Sequence, residues 1–204
     1  MRYAAGTLGQ GPALVVGVHA SLSPQTRARA QIFEAIGGAM VDSLDPSSMK
    51  PDAFAKVIRR IEEPILAAPR AVPGLTELVP GLAVPEPLRR YEIWPWRFLA
   101  PGLKVSRVKM GPEEKSAVLL LRAAPGTYLP EHGHGGQEYI CVLKGSFSDQ
   151  TGRYGPGDLA EADDALDHKP RVDSENECVC LAAIEGGLRL HSLVGRLLQP
   201  LFGL

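Results

Sequence analysis

Residues 126–145 read GTYLPEHGHGGQEYICVLKG and hold the most informative spacing in the chain. His132 and His134 are two residues apart, and side chains alternate between the faces of a β-strand, so both imidazoles point to the same side of an extended segment. The glycines that follow permit a sharp turn, after which Glu138 brings a carboxylate to the same point. Two imidazoles and one carboxylate are the minimum ligand set for Zn, Fe, Mn, Ni or Cu. The stretch therefore predicts a metal centre.

A fourth candidate ligand lies further along the chain. Residues 154–158 read YGPGD, which predicts a tight turn, and an acidic loop leads from this turn to His168. His168 is the candidate fourth ligand, although it follows Asp158 by ten residues. In the acidic loop, Asp167 is a candidate for orienting a ligand through a hydrogen bond; the alternative is a solvated loop.

Composition restricts the class of protein. The chain has 204 residues, 45% of them hydrophobic, and a formal net charge of −1 at pH 7. These values fit one or two small globular domains and give no support to a disordered tail or a polybasic nucleic-acid-binding protein. The apolar runs are far shorter than the roughly 18 residues that cross a bilayer, and three cysteines cannot form a closed disulfide framework. Because the first residues also lack the order of a secretory signal, we expect a cytoplasmic protein without membrane or direct nucleic-acid contact.

The N-terminal part has helical periodicity from residue 3 to residue 63. Ser23 followed by Pro24 is typical of a helix start, with a capping hydroxyl and a proline in the first turn, and Pro51 opens a further segment. In the first two predicted helices, apolar residues recur at spacings of three and four: Leu14, Val15 and Val18, then Ile32, Phe33 and Ile36. The third predicted helix carries an amphipathic stripe formed by Phe54, Val57, Ile58 and Ile61.

The pattern changes after residue 63. Six prolines between residues 64 and 87 exclude a continuous helix or a central strand. Short runs rich in Val, Ile, Leu, Tyr and Phe follow, separated by turn signals: residues 105–110, 117–121, 139–143 and 178–182. Many short strands at close spacing favour an antiparallel sandwich or barrel, so the fold class is α+β. Residues 193–198 are predicted to form a short closing helix.

These changes predict three parts. Residues 1–66 form an antiparallel helical domain, residues 67–90 form a proline-rich linker that leads into the first strands, and residues 91–204 form the metal-binding domain.

The motif around the two histidines resembles the first motif of the cupin superfamily, which is G, five residues, HxH, three or four residues, E, six residues, G. Gly126, His132, His134, Glu138 and Gly145 meet it in full. The resemblance implies a cupin β-barrel, also called a double-stranded β-helix. It further implies one divalent metal held by His132, His134, Glu138 and His168, with zinc expected first and Fe, Mn or Ni as alternatives.

A narrower resemblance, to the ChrR-type anti-sigma factors, extends over nearly the whole chain. It rests on the collinear order of several segments: residues 3–8 (YAAGTL), His19, residues 34–38 (EAIGG), the proline linker, residues 95–97 (PWR), the HGHGGQE segment, residues 153–158 (RYGPGD) and residues 195–200 (GRLLQP). The resemblance implies a helical domain that binds an extracytoplasmic-function sigma factor and a cupin domain that responds to singlet oxygen or a related oxidant. By this analogy the stripe from Phe54 to Ile61 binds the partner; the alternative is an ordinary core face.

The helical part departs from that family at its zinc motif, an upstream His followed by H-x3-C-x2-C. His19 is present, but Ser23 and Thr26 occupy the two cysteine positions, and the upstream histidine has no counterpart. Hydroxyls are poor zinc ligands compared with thiolates. We therefore interpret His19 as a polar helix residue, and we expect this part to fold by packing, supported by dimerisation or by docking on the barrel.

Three functional hypotheses follow. The first is a ChrR-like transcriptional regulator whose metal-bound cupin domain senses an oxidant or small molecule. The second is a cupin metalloenzyme, an Fe- or Mn-dependent dioxygenase, for which no catalytic residue beyond the metal ligands is recognisable. The third is a protein whose cupin domain holds zinc structurally and that only assembles.

Other residues that suggest chemistry have simpler interpretations. Cys178 and Cys180 share a strand face and are interpreted as buried strand residues rather than a redox pair, and Cys141 as a core residue. His191 has no partner at ligand spacing. Tyr128 and Tyr139 flank the ligand strands, where they line a small pocket or pack the barrel.

Overall fold

A computed structural model describes residues 1–62 and 79–190 of the chain. The predicted closing helix at 193–198, His191 and residues 67–78 of the proline linker lie outside these residues. The described part contains three α-helices, Gln10–Leu22 (α1), Pro24–Asp42 (α2) and Ala53–Glu62 (α3), and a short 3-10 helix, Glu86–Arg90. The helical periodicity of the N-terminal part is confirmed. No helix in the described ranges is long and apolar enough to span a membrane.

Eleven short strands follow within residues 97–190. They are Arg97–Ala100 (β1), Leu103–Arg107 (β2), Ala117–Ala123 (β3), His132–His134 (β4), Glu138–Lys144 (β5), Phe147–Asp149 (β6), Gly152–Tyr154 (β7), Leu159–Ala162 (β8), Arg171–Val172 (β9), Cys178–Ile184 (β10) and Leu188–Leu190 (β11). The four runs predicted as strands fall on β2, β3, β5 and β10, although β2 begins two residues and ends three residues earlier than predicted.

Every pairing between these strands is antiparallel. The largest sheet has six strands in the order β1-β2-β3-β10-β5-β8, and two smaller sheets have the orders β7-β6-β9 and β11-β4. The chain is therefore an α+β protein with antiparallel strands, as the sequence predicts.

Strands β5 and β10 of the six-stranded sheet are buried on both faces because their side chains alternate between two apolar clusters. On β5, Ile140 and Val142 belong to a cluster with Leu103, Phe147 and Val172; we call this the inner face. Their neighbours Tyr139, Cys141 and Leu143 belong to the cluster on the other side, the outer face. A strand buried on both faces reads as a continuous apolar run, which explains the YICVL sequence.

Helix α1 packs on the outer face of the sheet. Its apolar stripe of Leu14, Val15 and Val18 is buried in the same cluster as Tyr139 and Cys141 of β5. The capping prediction is confirmed as well, because the Ser23 hydroxyl accepts a hydrogen bond from the Thr26 amide at the start of α2. By contrast, none of the residues of α2 or α3 is buried among the described residues.

This packing generates a stability prediction. Val18→Ala removes two methyl groups from the fully buried contact between α1 and the sheet, so we expect the free energy of unfolding to fall by about 1–3 kcal/mol. The matched control is Val57→Ala on the exposed face of α3, for which we expect a change below about 0.5 kcal/mol. Urea denaturation followed by circular dichroism measures both. Equal effects at the two valines would contradict the docking of α1.

Candidate functional site

The four candidate metal ligands come together at one point. His132 and His134 lie on β4, Glu138 begins β5, and His168 precedes β9 in the chain. One potential ligand atom from each residue lies within 4.8 Å of those of the other three, and all four residues are buried. The geometry predicted from the HxH spacing is therefore present, with a fourth side chain beside it.

Backbone pairing places His168 opposite His132. The amide of each residue donates a hydrogen bond to the carbonyl of the other, over N···O distances of 3.1 and 2.9 Å. The ten-residue interval between Asp158 and His168 accommodates strand β8, which pairs with β5, and the acidic loop after it. The long interval thus brings His168 back to the pair of histidines instead of separating it from them.

Close backbone packing fixes the turn after the histidines. A Cβ atom at Gly135 would collide with the carbonyl oxygen of Gly186, and one at Gly186 would lie 2.6 Å from the carbonyl group of Gly135. Gly186 also has a positive φ of 70°, which favours glycine. The sequence predicts the flexibility of this turn. It does not predict that a second glycine pair, just before β11, must pass against it.

The hydrogen bonds of His132 and His168 define which of their nitrogens face the centre. His132 Nδ1 lies 2.7 Å from the Pro130 carbonyl oxygen, and His168 Nδ1 lies 2.8 Å from Asp149 Oδ2. Both partners are acceptors, so both Nδ1 atoms donate, and in the neutral rings each Nε2 presents a lone pair. His168 Nε2 lies 3.0 Å from His132 Nε2 and 3.2 Å from His134 Nε2.

This arrangement fits a cation. Facing lone pairs repel each other unless a positive charge lies between them, and two nitrogens bound to one tetrahedral zinc lie about 3.3 Å apart. Glu138 Oε2 is buried and has no hydrogen-bond partner among the described residues, and it lies 3.6 Å from the Nε2 atoms of both His134 and His168. A buried carboxylate oxygen without a hydrogen-bond partner costs free energy, and a bond to a metal would offset that cost.

The pKa shifts of the histidines agree with a cluster that binds a cation. Burial is the main cause that lowers the pKa of His132 and of His134 below the usual value, so both rings stay neutral and able to bind a metal. Burial acts in the same direction on His168, but the carboxylates of Glu138 and Asp149 outweigh it and raise the pKa of this ring. The two carboxylates therefore favour the presence of one additional positive charge at the cluster of four side chains.

The residue that orients His168 is one that sequence reasoning missed. Asp167, the candidate in the acidic loop, is exposed, and His168 Nδ1 donates its hydrogen bond to Asp149 Oδ2 on β6 instead. The side chain of Asp149 is only 2% exposed. Burial acts to raise the pKa of Asp149, but hydrogen bonds from Thr151 and His168 outweigh it and lower the pKa, so the carboxylate is ionised. The available signal was the strand alternation that puts Asp149 on the same side as buried Phe147.

The cysteines and tyrosines are located as follows. Cys178 and Cys180 are buried on the inner face of β10, with their sulfur atoms 3.6 Å apart, and they line an apolar cavity with Ile140 and Phe147. Cys141 is buried in the outer-face cluster under α1. The interpretation of all three as buried strand residues is confirmed. Tyr139 packs in that same cluster and is not part of the cavity, whereas Tyr128 is exposed, with Lys169 and Arg171 close to its ring.

The apolar stripe of α3 forms an exposed surface. Phe54 is 74% exposed and Ile61 is 72% exposed, and Val57 and Ile58 also lie in contact with solvent. The alternative of an ordinary core face is therefore not seen within residues 1–62 and 79–190. Contiguous exposed apolar side chains on one helix are typical of a surface that binds a partner.

Comparisons with known proteins give matches that cover both the helices and the strands of this chain. Residues 88–185 match the family described as the ChrR Cupin-like domain. The chain is 36% identical over 207 residues to the anti-sigma-E factor ChrR of Cereibacter sphaeroides, with 98% of this chain and 92% of that protein covered. It is also similar to the crystal structure of Rhodobacter sphaeroides SigE in complex with the anti-sigma ChrR, with a TM-score of 0.70, 34% identity, and 90% and 93% of the two chains covered.

The contact between Asp149 and His168 generates the prediction for this site. Asp149→Asn keeps the shape of the side chain but removes the charge that orients the ring, so we expect zinc affinity to fall about 10–100-fold. Asp164→Asn is the matched control, because it removes an exposed carboxylate from the loop next to His168 and should leave the affinity unchanged. Competition with a zinc-binding dye measures both. An unaltered affinity in Asp149→Asn would show that the contact does not support the centre.

Proposed function

Because the chain belongs to the ChrR family of anti-sigma factors, we propose that its helices bind a sigma factor of the extracytoplasmic-function class and that its metal centre makes this binding responsive to an oxidant or small molecule. One observation carries the proposal: the similarity to ChrR covers 98% of the chain and so includes both the helices and the strands. A cupin enzyme would share only the strands with this family. The chain is an anti-sigma-factor homologue with a cupin domain, and this supports the regulator over the dioxygenase.

The exposed face of α3 supports a protein partner. Phe54 and Ile61 present apolar area that none of the described parts of the chain covers, and Lys56, Arg59 and Arg60 flank it. Helix-in-groove recognition uses this combination, in which apolar residues at positions i, i+3, i+4 and i+7 enter a groove and charged residues contact its rim. We infer that α3 lies in an apolar groove of the sigma factor.

We propose that His132, His134, Glu138 and His168 hold one divalent metal, and that this metal is zinc. Three imidazole nitrogens and one carboxylate oxygen supply the four positions of a tetrahedral zinc site. When bound, the metal supplies a charge that holds four buried polar groups together and a site where a small molecule can displace a ligand. The residues of the chain do the rest: Asp149 orients His168, the Pro130 carbonyl orients His132, and the burial of all four limits access of water.

The finer architecture and the location are part of the same proposal. We infer that residues 1–66 form the sigma-binding helical domain, that residues 67–90 link it to the strands, and that the strands of residues 91–204 close into a double-stranded β-helix. The cytoplasm is the compartment where a sigma factor meets RNA polymerase, and we therefore place the chain there. In this proposal the chain contacts its protein partner and not DNA or a membrane.

Metal content tests the proposed centre. Elemental analysis of the protein as isolated should give about one zinc per chain, and none in a His132→Ala, His168→Ala double variant. His19→Ala is the control and should retain the metal, because His19 lies outside the cluster. About two metals per chain, or metal retained in the double variant, would contradict the assignment and would indicate a second site.

Partner binding tests the role of α3. We expect Phe54→Asp to weaken binding at least about tenfold, because it places a charge on the apolar face that the partner would bury. Phe98→Asp is the matched control, since Phe98 is 72% exposed but lies on β1, away from the helices. Isothermal titration against purified extracytoplasmic-function sigma factors of the source organism gives both affinities. Equal affinities of the two variants would exclude α3 from the interface, and no binding by the unaltered chain would remove the proposed function itself.

A further inference from the structure

Packing holds α2 only weakly. Its residues Thr26, Ala30 and Phe33 are partly buried, and the remainder of the helix is exposed. Between α2 and the sheet lies a cleft of about 260 Å³, lined by Tyr3, Val16, Phe33, Leu159 and Glu161 among others. A helix that stands over a cleft gains little from burial of apolar area, so its position depends on specific contacts.

One imidazole supplies such contacts. His19 Nδ1 lies 2.6 Å from the carbonyl oxygen of Gly157, and His19 Nε2 lies 2.8 Å from Thr26 Oγ1. A carbonyl oxygen only accepts, so Nδ1 donates to Gly157, and in the neutral ring Nε2 accepts from the Thr26 hydroxyl. His19 on α1 therefore joins the first turn of α2 to the turn that precedes β8.

The turn at the far end of this link is attached to the centre of the sheet. The Gly157 amide donates to the Val142 carbonyl of β5 over 2.8 Å, and the Val142 amide donates to the Asp158 carbonyl over 3.0 Å. Gly157 has a positive φ of 88°, and a Cβ atom there would lie 3.5 Å from Leu22 Cβ at the end of α1. The turn is thus fixed to β5 on one side and lies close to α1 on the other.

We propose that His19 is a latch that holds α2 in one orientation on the sheet, and that Thr26 and Gly157 are its two attachment points. The three positions that the resemblance assigns to H-x3-C-x2-C zinc ligands have another use in this chain: Ser23 caps α2, Thr26 bonds His19, and His19 bonds the sheet. The latch orients α2 through hydrogen bonds at these positions, and it extends to the turn that precedes β8. The latch deepens the proposed function. It rests on that function in one respect: the helices that the latch orients are the ones proposed to bind the sigma factor.

Thr26→Val tests the latch in the full-length chain without a partner. The substitution is nearly isosteric, removes only the hydroxyl, and preserves the β-branched side chain in the helix. We expect amide hydrogen exchange in α2 to become about fivefold faster, which corresponds to the loss of one hydrogen bond, while exchange in the sheet stays the same. Thr26→Ser keeps a hydroxyl and should restore slow exchange. Gln25→Ala, at the exposed neighbouring position, is the control and should leave exchange in α2 unaltered.

Two further measurements make the result decisive. Nitrogen NMR should find His19 in the Nδ1–H tautomer in the unaltered chain, and the Nε2–H tautomer would overturn the proposal. In the presence of the sigma factor, Thr26→Val should weaken binding severalfold and Thr26→Ser should not. If the unaltered chain binds no sigma factor, the proposed function fails while the exchange result still decides the latch. If the sigma factor binds but Thr26→Val leaves exchange in α2 as it was, the latch alone is wrong.

Discussion

The alternation of side chains along β5 is the constraint on which the rest of the structure depends. Glu138 begins the strand on the inner face, at the candidate metal centre, while Tyr139 and Cys141 occupy the outer face, where α1 packs. A shift of register by one residue would exchange these faces, bringing a carboxylate against α1 and an aromatic ring among the histidines. One strand therefore determines both the polar centre and the contact with the helices.

A cation bound at the polar centre would link metal binding to folding. Its three imidazoles and one carboxylate are buried, and removing an ionised group from water costs several kcal/mol unless an opposite charge is near. The carboxylates of Glu138 and Asp149 act on His168 in the direction of added positive charge. In an unfolded chain these side chains are solvated and dispersed, so a cation bound by all four stabilises the folded state specifically.

The sequence predicts the parts of this structure that depend on short-range spacing. The HxH pair and the stripe of α1 follow from periodicities of two and of three and four, the carboxylate of Glu138 from the glycine turn before it, and the Ser23 cap from the chemistry of helix starts. What the sequence does not predict depends on contacts between distant segments. Asp149 reaches His168 because β6 pairs with β9, and Gly135 must be small because Gly186 passes against it. Likewise the stripe of α1 shows that one face is buried, but not that the sheet, rather than α2 and α3, covers it.

The docking of α1 on the sheet provides stability that the helices do not obtain from zinc, because Ser23 and Thr26 occupy the family's cysteine positions. A structural zinc contributes on the order of 10 kcal/mol to a small domain, whereas a hydrogen bond such as that between His19 and Thr26 contributes about 1 kcal/mol. Hydrogen bonds at Ser23 and Thr26 therefore cannot replace a metal as the support of a free-standing helical unit. Burial can, because each fully buried valine or leucine side chain contributes about 1.5–3 kcal/mol, and Leu14, Val15 and Val18 are all buried against the sheet. A helical segment with this composition depends on the strands for its stability, so a change in the strands that disturbs the outer face of β5 reaches the helices directly.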